Sequence, residues 1–219
     1  MNLDIRPAER ADLPAIVAIY NASIPGHQAT ADLAPVSVAD RESWFAAHEP
    51  TRHPLWVGVA DERVVGWISL STFYAREAWN PTVEVSFYVD PMKHRQGVGR
   101  SLLRHALAAA PTLGIRTILA VVSAHNEASL ALLESEGFTR WGHLPGVTMC
   151  PKADATWCSL GWRCPMVLRD RPRRSPSTSP GRPSGRTQNH PWLYGKLVRE
   201  SAAFKRCAAR ICSPAHEPS

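Results

Sequence analysis

The sequence predicts an α/β protein of the α+β kind, a mixed sheet with helices on both faces. Three observations carry that expectation. Apolar periodicity runs in the order β-α-α-β-β-β-α-β-α-β, with a further strand at residues 156–163. Leu55 to Phe73 reads as a hairpin around Asp61-Glu62-Arg63. A strand at residues 83–89 passes through a glycine turn directly into an amphipathic helix.

Leu3 to Arg6 is the first strand, with a turn at Pro7 to Arg10. Asp12 to Asn21 is helical: Leu13, Ile16, Val17 and Tyr20 share a face, and Pro14 is tolerated because it lies in the first turn. A polar loop from Ala22 to Pro35 precedes a second helix. Ser37-Val38-Ala39-Asp40 resembles a capping box with Asp in the place of Glu, and Trp44 and Phe45 supply the buried face. Leu55 to Ala60 and Val64 to Phe73 form the hairpin. Val83 to Val89 is the next strand, rich in β-branched and aromatic residues and closed by Pro91. In the following helix Leu102, Leu103, Ala106, Leu107 and Ala110 form one apolar stripe, and Gly114 is placed to cap it. Thr117 to Val122 is a strand of the buried kind, Glu127 to Glu136 a helix ending at Gly137, and Phe138 to Leu144 the next strand.

The turn Lys93-His94-Arg95-Gln96-Gly97-Val98-Gly99-Arg100 builds a phosphate cradle. Amides at a helix start lack intrahelical partners and sit at the positive end of the dipole, so they bind an anion where nothing bulky blocks the approach. Gly97 and Gly99 remove the bulk, and Lys93, Arg95 and Arg100 suit a polyanion. No Gly-Lys-Ser/Thr follows as in a P-loop, and Leu102 stands where a dinucleotide fingerprint needs its third glycine.

The cradle resembles the acetyl-CoA pyrophosphate signature of the GNAT superfamily of N-acetyltransferases, Arg/Gln-x-x-Gly-x-Gly/Ala, with His94 at the first position and Arg95 displaced by one. Over residues 3 to 147 the pattern is similar to the phosphinothricin-type members. It shows in Ile19-Tyr20-Asn21, the loop through Thr30, the helix of Trp44-Phe45, Val65-Gly66-Trp67, Val83 to Val89, Gly137-Phe138 and Gly142-His143-Leu144. The resemblance implies a mostly antiparallel central sheet of six to seven strands and an acetyl-CoA co-substrate without a metal. It also implies a small-molecule amine acceptor and a homodimer.

An N-acetyl transfer needs a free amine lone pair, and Glu84 can take the ammonium proton directly or through a water. The residue alone also reads as an edge-strand carboxylate or as a partner for an arginine. The resemblance implies a general base. It further implies that the strand through Phe87, Tyr88 and Val89 holds the pantetheine arm and the thioester carbonyl, and that Arg95, Gln96, Gly97, Val98, Gly99 and Arg100 hold the pyrophosphate. Asn126 and Ser129, at the start of the penultimate helix, would contact the arm of CoA, although Asn126 is equally a helix cap. Tyr20, Thr30, Tyr74 and Arg76 are the acceptor candidates. Arg76 suits a carboxylate bidentately but is also an ordinary loop arginine. Two departures stand out: Leu133 replaces the tyrosine that protonates the thiolate in many relatives, and the segment 147–156 lacks the histidine of phosphinothricin enzymes.

The implied activity is acetyl transfer from acetyl-CoA to a phosphinothricin- or methionine-sulfoximine-like amine by direct attack in a ternary complex. A protein or peptide N-terminal acetyltransferase, or a non-catalytic acyl-CoA-binding protein, are the alternatives.

Residues 1–164 form the catalytic domain in this reading, and 165–219 an Arg/Pro/Ser-rich tail that reads as disordered or extended. The tail holds 11 of the 25 Lys/Arg and 3 of the 19 Asp/Glu, a net +8, so the preceding 164 residues carry 14 basic and 16 acidic side chains, a net −2. Basicity therefore belongs to the tail and gives no ground for a specific nucleic-acid partner. The change in composition after about Val147 resembles the product of a shifted reading frame. Five cysteines without a Cys-x-x-Cys pair predict reduced thiols, not zinc or disulfides. No apolar run reaches the length of a membrane span or signal core, which predicts a soluble cytoplasmic protein without a membrane partner.

Overall fold

The structure, a computed structural model, describes residues 2–148 and 156–165. The tail beyond Pro165, together with Cys150, Cys207 and Cys212, lies outside the described residues.

The strands are β1 (Asp4–Pro7), β2 (Leu55–Ala60), β3 (Arg63–Thr72), β4 (Thr82–Val89), β5 (Thr117–Ser123), β6 (Thr139–Leu144) and β7 (Trp157–Arg163). The main helices are α1 (Leu13–Ser23), α2 (Val38–Ala46), α3 (Val98–Ala109) and α4 (Glu127–Ser135). The strands form a seven-stranded sheet in the order β1-β2-β3-β4-β5-β7-β6. It is mixed and mostly antiparallel: β4 and β5 run parallel, and the other neighbouring pairs are antiparallel. The expected architecture and element order are present. β7 lies beyond the shift in composition, yet it completes the sheet between β5 and β6 and buries Cys158 and Leu160.

The hairpin turn is tight because Asp61 and Glu62 both take left-handed φ, 51° and 59°, the twist that two-residue hairpins prefer. On one face of the sheet α3 lays down Val98, Leu102, Leu103 and Ala106, with Ala110 just past its end, all at most 1% exposed. Its close approach depends on Gly66 of β3, where a Cβ would meet Val98 and Leu102 carbons at 3.0 and 3.1 Å. The opposite face carries a smaller cluster of Ile16, Ile19, Tyr20, Leu55, Val57 and Trp67 under α1 and α2.

One detail differs from expectation. Trp44 and Phe45 are only partly buried and α2 buries no residue fully, since it packs over the small cluster alone. The regular ladder of α3 ends at Ala109, ahead of Pro111, which has no N–H to continue it; one more turn follows, and Gly114, at φ 69°, closes it as expected, its amide donating to the Pro111 carbonyl at 3.2 Å and the Ile115 amide to the Ala110 carbonyl at 3.0 Å. The capping box at Ser37 and Asp40 is formed as expected.

Candidate active site

The sheet splits at its middle. β4 pairs with β5 at Thr82–Thr117, Val83–Ile118 and Glu84–Leu119 and no further, whereas its pairing with β3 continues to Val89. Beyond Leu119, β5 pairs only with β7. Val85 to Val89 thus have one edge without a strand partner, and a cleft opens from Glu84 outward. Peptide groups on such an edge are available to an extended ligand.

Two helix starts converge on the cleft. After β4, Asp90 accepts a hydrogen bond from the Met92 amide at 2.9 Å, and the chain turns through Pro91–Lys93. His94 Nε2 lies 3.1 Å from the Val89 carbonyl, which only accepts, so Nε2 carries the hydrogen. Arg95 and Gly97 both take positive φ, 60° and 85°, and Gly97 is the N-cap of α3. A side chain at Gly97 would meet nothing within 4 Å, so the glycine is required by the backbone conformation and leaves the approach to the helix amides open. At the second start Asn126 caps α4, its Oδ1 accepting from the Ser129 amide at 3.1 Å. The structure therefore realises the capping role of Asn126, beside the cleft.

The cavity between them has a volume of about 840 Å³. Phe87, Tyr88, Val89, Arg95, Gly97, Val98, Gly99, Arg100, Asn126 and Ser129 all line it. Gln96 is absent from the lining, its side chain donating to the Met92 carbonyl at 3.1 Å. Arg100 is tied to Glu136 at 3.2 Å, which also holds Arg104 at 2.8 Å.

Glu84 sits at the apex of the split. β4 is the fourth of seven strands, so the edge-strand reading fails, and no hydrogen-bond or ion-pair partner reaches its carboxylate among the described residues. Burial raises its pKa above the ordinary glutamate range.

Tyr20 and Thr30 are brought together: the Tyr20 hydroxyl donates to Asp32 at 2.5 Å and contacts Thr30 Oγ1 at 2.6 Å, beneath the Arg41 guanidinium at 4.4 Å from the ring. Burial and Asp32 raise the Tyr20 pKa, and burial raises that of Tyr88 further, so both stay neutral phenols. Tyr88 donates to the Ala29 carbonyl at 3.0 Å, while Asn126 donates to the Gln28 carbonyl at 3.4 Å from across the cleft. The loop after α1 is thereby pinned over the mouth. Its residues Gly26, Gln28 and Ala29 line the cavity, with Ser23 at the end of α1. Sequence reading missed them because the loop carries no periodicity; the Pro25-Gly26 pair was the one available signal of a sharp turn.

Tyr74 and Arg76 lie outside the cavity lining, with the Arg76 guanidinium 5.4 Å from the Tyr74 ring. Leu133 is fully buried in the core, and its neighbour Leu132 faces the cavity instead. Among the described residues no group of three His, Cys, Asp or Glu side chains is arranged to hold a metal. No helix among them is long and apolar enough to cross a membrane.

Residues 16–138 match the acetyltransferase (GNAT) family. The Bacillus subtilis (strain 168) protein YwnH, a phosphinothricin acetyltransferase by name, is 47% identical over 146 residues, 66% of this chain and 89% of that one. An L-methionine sulfoximine/L-methionine sulfone acetyltransferase of Pseudomonas paraeruginosa is 34% identical over 67% of this chain and 86% of its own. The crystal structure of a GNAT superfamily phosphinothricin acetyltransferase from Sinorhizobium meliloti, in complex with acetyl-CoA, superimposes with a TM-score of 0.71 at 27% identity. It covers 74% of this chain and 89% of that one.

Proposed function

Because the chain belongs to the GNAT family of acetyltransferases, we propose that it transfers the acetyl group of acetyl-CoA to the primary amine of a small amino-acid-like substrate of the phosphinothricin or methionine sulfoximine type. The observation that carries the proposal is the split sheet: Glu84, a desolvated carboxylate, is the last β4 residue paired with β5, and the cavity lined from Phe87 onward leads to a helix start with Lys93, Arg95 and Arg100 around it.

The residues present fit acetyl-CoA. The unpaired edge of Val85–Val89 offers peptide groups along one wall, and the glycine-capped start of α3 with Lys93, Arg95 and Arg100 offers amides and positive charge where a pyrophosphate would lie. Acetyl-CoA supplies the activated acyl thioester. The chain's own contribution is to hold it in line with the amine and to handle the proton. Glu84 accepts the ammonium proton directly or through a water, and its raised pKa makes it a stronger base than an exposed glutamate. Peptide N–H groups on the β4 edge polarise the carbonyl. No side chain is assigned as the acid, since Leu133 is sealed in the core and a thiolate leaves readily at neutral pH. Tyr20, Thr30 and the loop of Tyr74 and Arg76 are the candidates for holding the acceptor.

Release of CoA thiol from acetyl-CoA, measured across a panel of amines that includes phosphinothricin, methionine sulfoximine and an alanyl peptide, tests this. Turnover is expected with the amino-acid-like amines. Binding of CoA without turnover of any amine would instead mark a non-catalytic acyl-CoA-binding protein, and turnover of the peptide alone a peptide acetyltransferase.

A further inference from the structure

The helix that carries the cradle is tied to the far end of α4. Glu136, the C-cap of α4, reaches across to α3: its Oε1 lies 3.2 Å from Arg100 Nε and its Oε2 2.8 Å from Arg104 Nε. The carboxylate is only 9% exposed, whereas both arginine side chains are more than half exposed. A carboxylate this deep is costly to desolvate, and it stands at the negative end of the α4 dipole, so the two cations are what hold it there. Two arginines against one carboxylate leave the trio with a net positive charge.

The grip on Arg100 has a direction. Arg100 Nη2 donates to Ser135 Oγ at 3.4 Å, and Ser135 Oγ donates in turn to the Leu132 carbonyl at 2.7 Å. Leu132 and Arg100 both line the cavity, and Leu132 packs against the first turn of α3, where a Cβ on Gly99 would meet its Cδ2 at 3.3 Å. With Nε on Glu136 and Nη2 on Ser135, Nη1 is the guanidinium nitrogen left for an anion in the cradle. Glu136 Oε1 is sealed from water and makes no aligned hydrogen bond, so its hold on Arg100 is one of charge at 3.2 Å. Arg104, one turn further along α3, lies outside the cavity lining.

We infer that Glu136 is a positioning residue for the cofactor, ordering Arg100 in advance so that its guanidinium meets the pyrophosphate of acetyl-CoA without first losing its rotamer freedom. The inference rests on the acetyl-CoA site proposed above and names the part of the ligand that the clamp serves. A thioester that ends at pantetheine carries no pyrophosphate and gains nothing from an ordered Arg100. Glu136 therefore selects for the nucleotide-bearing thioester without touching it.

The test compares kcat/KM for acetyl-CoA and for S-acetyl-pantetheine, with methionine sulfoximine as the amine, in wild type, Glu136→Gln, Arg100→Ala and the double variant. Gln keeps the length and an acceptor oxygen but drops the charge, and Arg100→Ala removes the exposed partner. Glu136→Gln is expected to lower the preference for acetyl-CoA about fivefold, through KM and not kcat, and to add nothing in the Arg100→Ala background. The Kd of CoA itself, read by calorimetry without any amine, should rise by the same factor. A preference and a Kd that Glu136→Gln leaves unchanged would overturn the inference, as would a loss that persists in full without Arg100. An equal loss with both thioesters would overturn it too, since that is what a merely structural role produces. If wild type turns over neither thioester with any amine, the proposed function has failed, and the Kd of CoA in Glu136→Gln still decides whether Glu136 positions Arg100.

Discussion

The two faces of β4 are made of different materials. Toward α3 the strand contributes Val83 and Val85 to an aliphatic core that includes Ile68, Leu70, Leu102, Leu103, Ile118 and Leu160. Toward α1 and α2 it contributes Glu84, Ser86 and Tyr88, against Trp67, Tyr20, Trp44 and the hydroxyls of Ser69 and Ser71. The aliphatic side gains its stability from area removed from water, about 2 kcal/mol for each fully buried Leu. The aromatic side leaves the Glu84 carboxylate without a partner among the described residues and orders its rings by hydrogen bonds such as Trp67 Nε1 to the Ile16 carbonyl at 3.1 Å. The comparison teaches that one face of the strand can be spent on packing because the other is spared from it, and that the alternation of a single strand keeps the two functions apart.

Substitutions on opposite faces should therefore fail in different ways. The largest effect is expected from Glu84→Gln, which lowers kcat by about 10³ and leaves the fold intact. Its effect on stability has a definite sign. A carboxyl whose pKa is raised on folding binds its proton more tightly in the native state, so its contribution to stability falls as pH rises from the unfolded value through the native one. Replacing it with a neutral amide removes that loss, and thermal melting at pH 8 should show a higher Tm for the inactive variant. A lower Tm would mean that Glu84 is structural.

Leu102→Ala, on the other face, should cost about 2–5 kcal/mol of unfolding free energy in urea titration. Because Leu102 lies under Gly66 and the first turn of α3, weaker retention of acetyl-CoA should follow from a loosened helix start, with the pH dependence of turnover unchanged. At the cradle, Gly97→Ala places a side chain in free space but at φ 85°, so it should destabilise by about 1 kcal/mol and raise KM for acetyl-CoA several-fold. The smallest effect is expected far from the cleft, at the bidentate pair in which Arg6 donates to Asp12 at 2.7 and 2.9 Å. The guanidinium lowers the Asp12 pKa, so this contribution is present above the unfolded value and lost as pH falls through the native one. Asp12→Asn should cost about 1 kcal/mol at pH 7, shrinking in acid, with kcat untouched.

Much of this arrangement was legible in the sequence, and the reasons are local. Alternation gave the strands, and a short polar break gave the hairpin turn at Asp61 and Glu62, to the residue at β2. Gly97 was readable because a glycine at a helix start leaves the approach of an anion to the amides open, while its positive φ became visible only in the structure. What was not legible depends on contacts distant in sequence. The loop after α1 is tied to the cleft through Tyr88 and Asn126, 59 and 98 residues from their partners. The shallow burial of α2 depends on how little of the sheet remains for it once α1 is seated. That Ser71 stands opposite Glu84 appears only when the register of β3 on β4 is known.

The central claim, that Glu84 at the split of the sheet is the base, is tested most directly by the rate of thiol release against pH for wild type and Glu84→Gln, with acetyl-CoA saturating. The wild-type rate should rise with pH through a pKa above that of an ordinary glutamate, because the carboxylate is the active form and burial holds its proton longer. In Glu84→Gln that limb should vanish together with nearly all turnover. An unchanged limb and undiminished turnover in the variant would contradict the account and move the proton-accepting role away from β4.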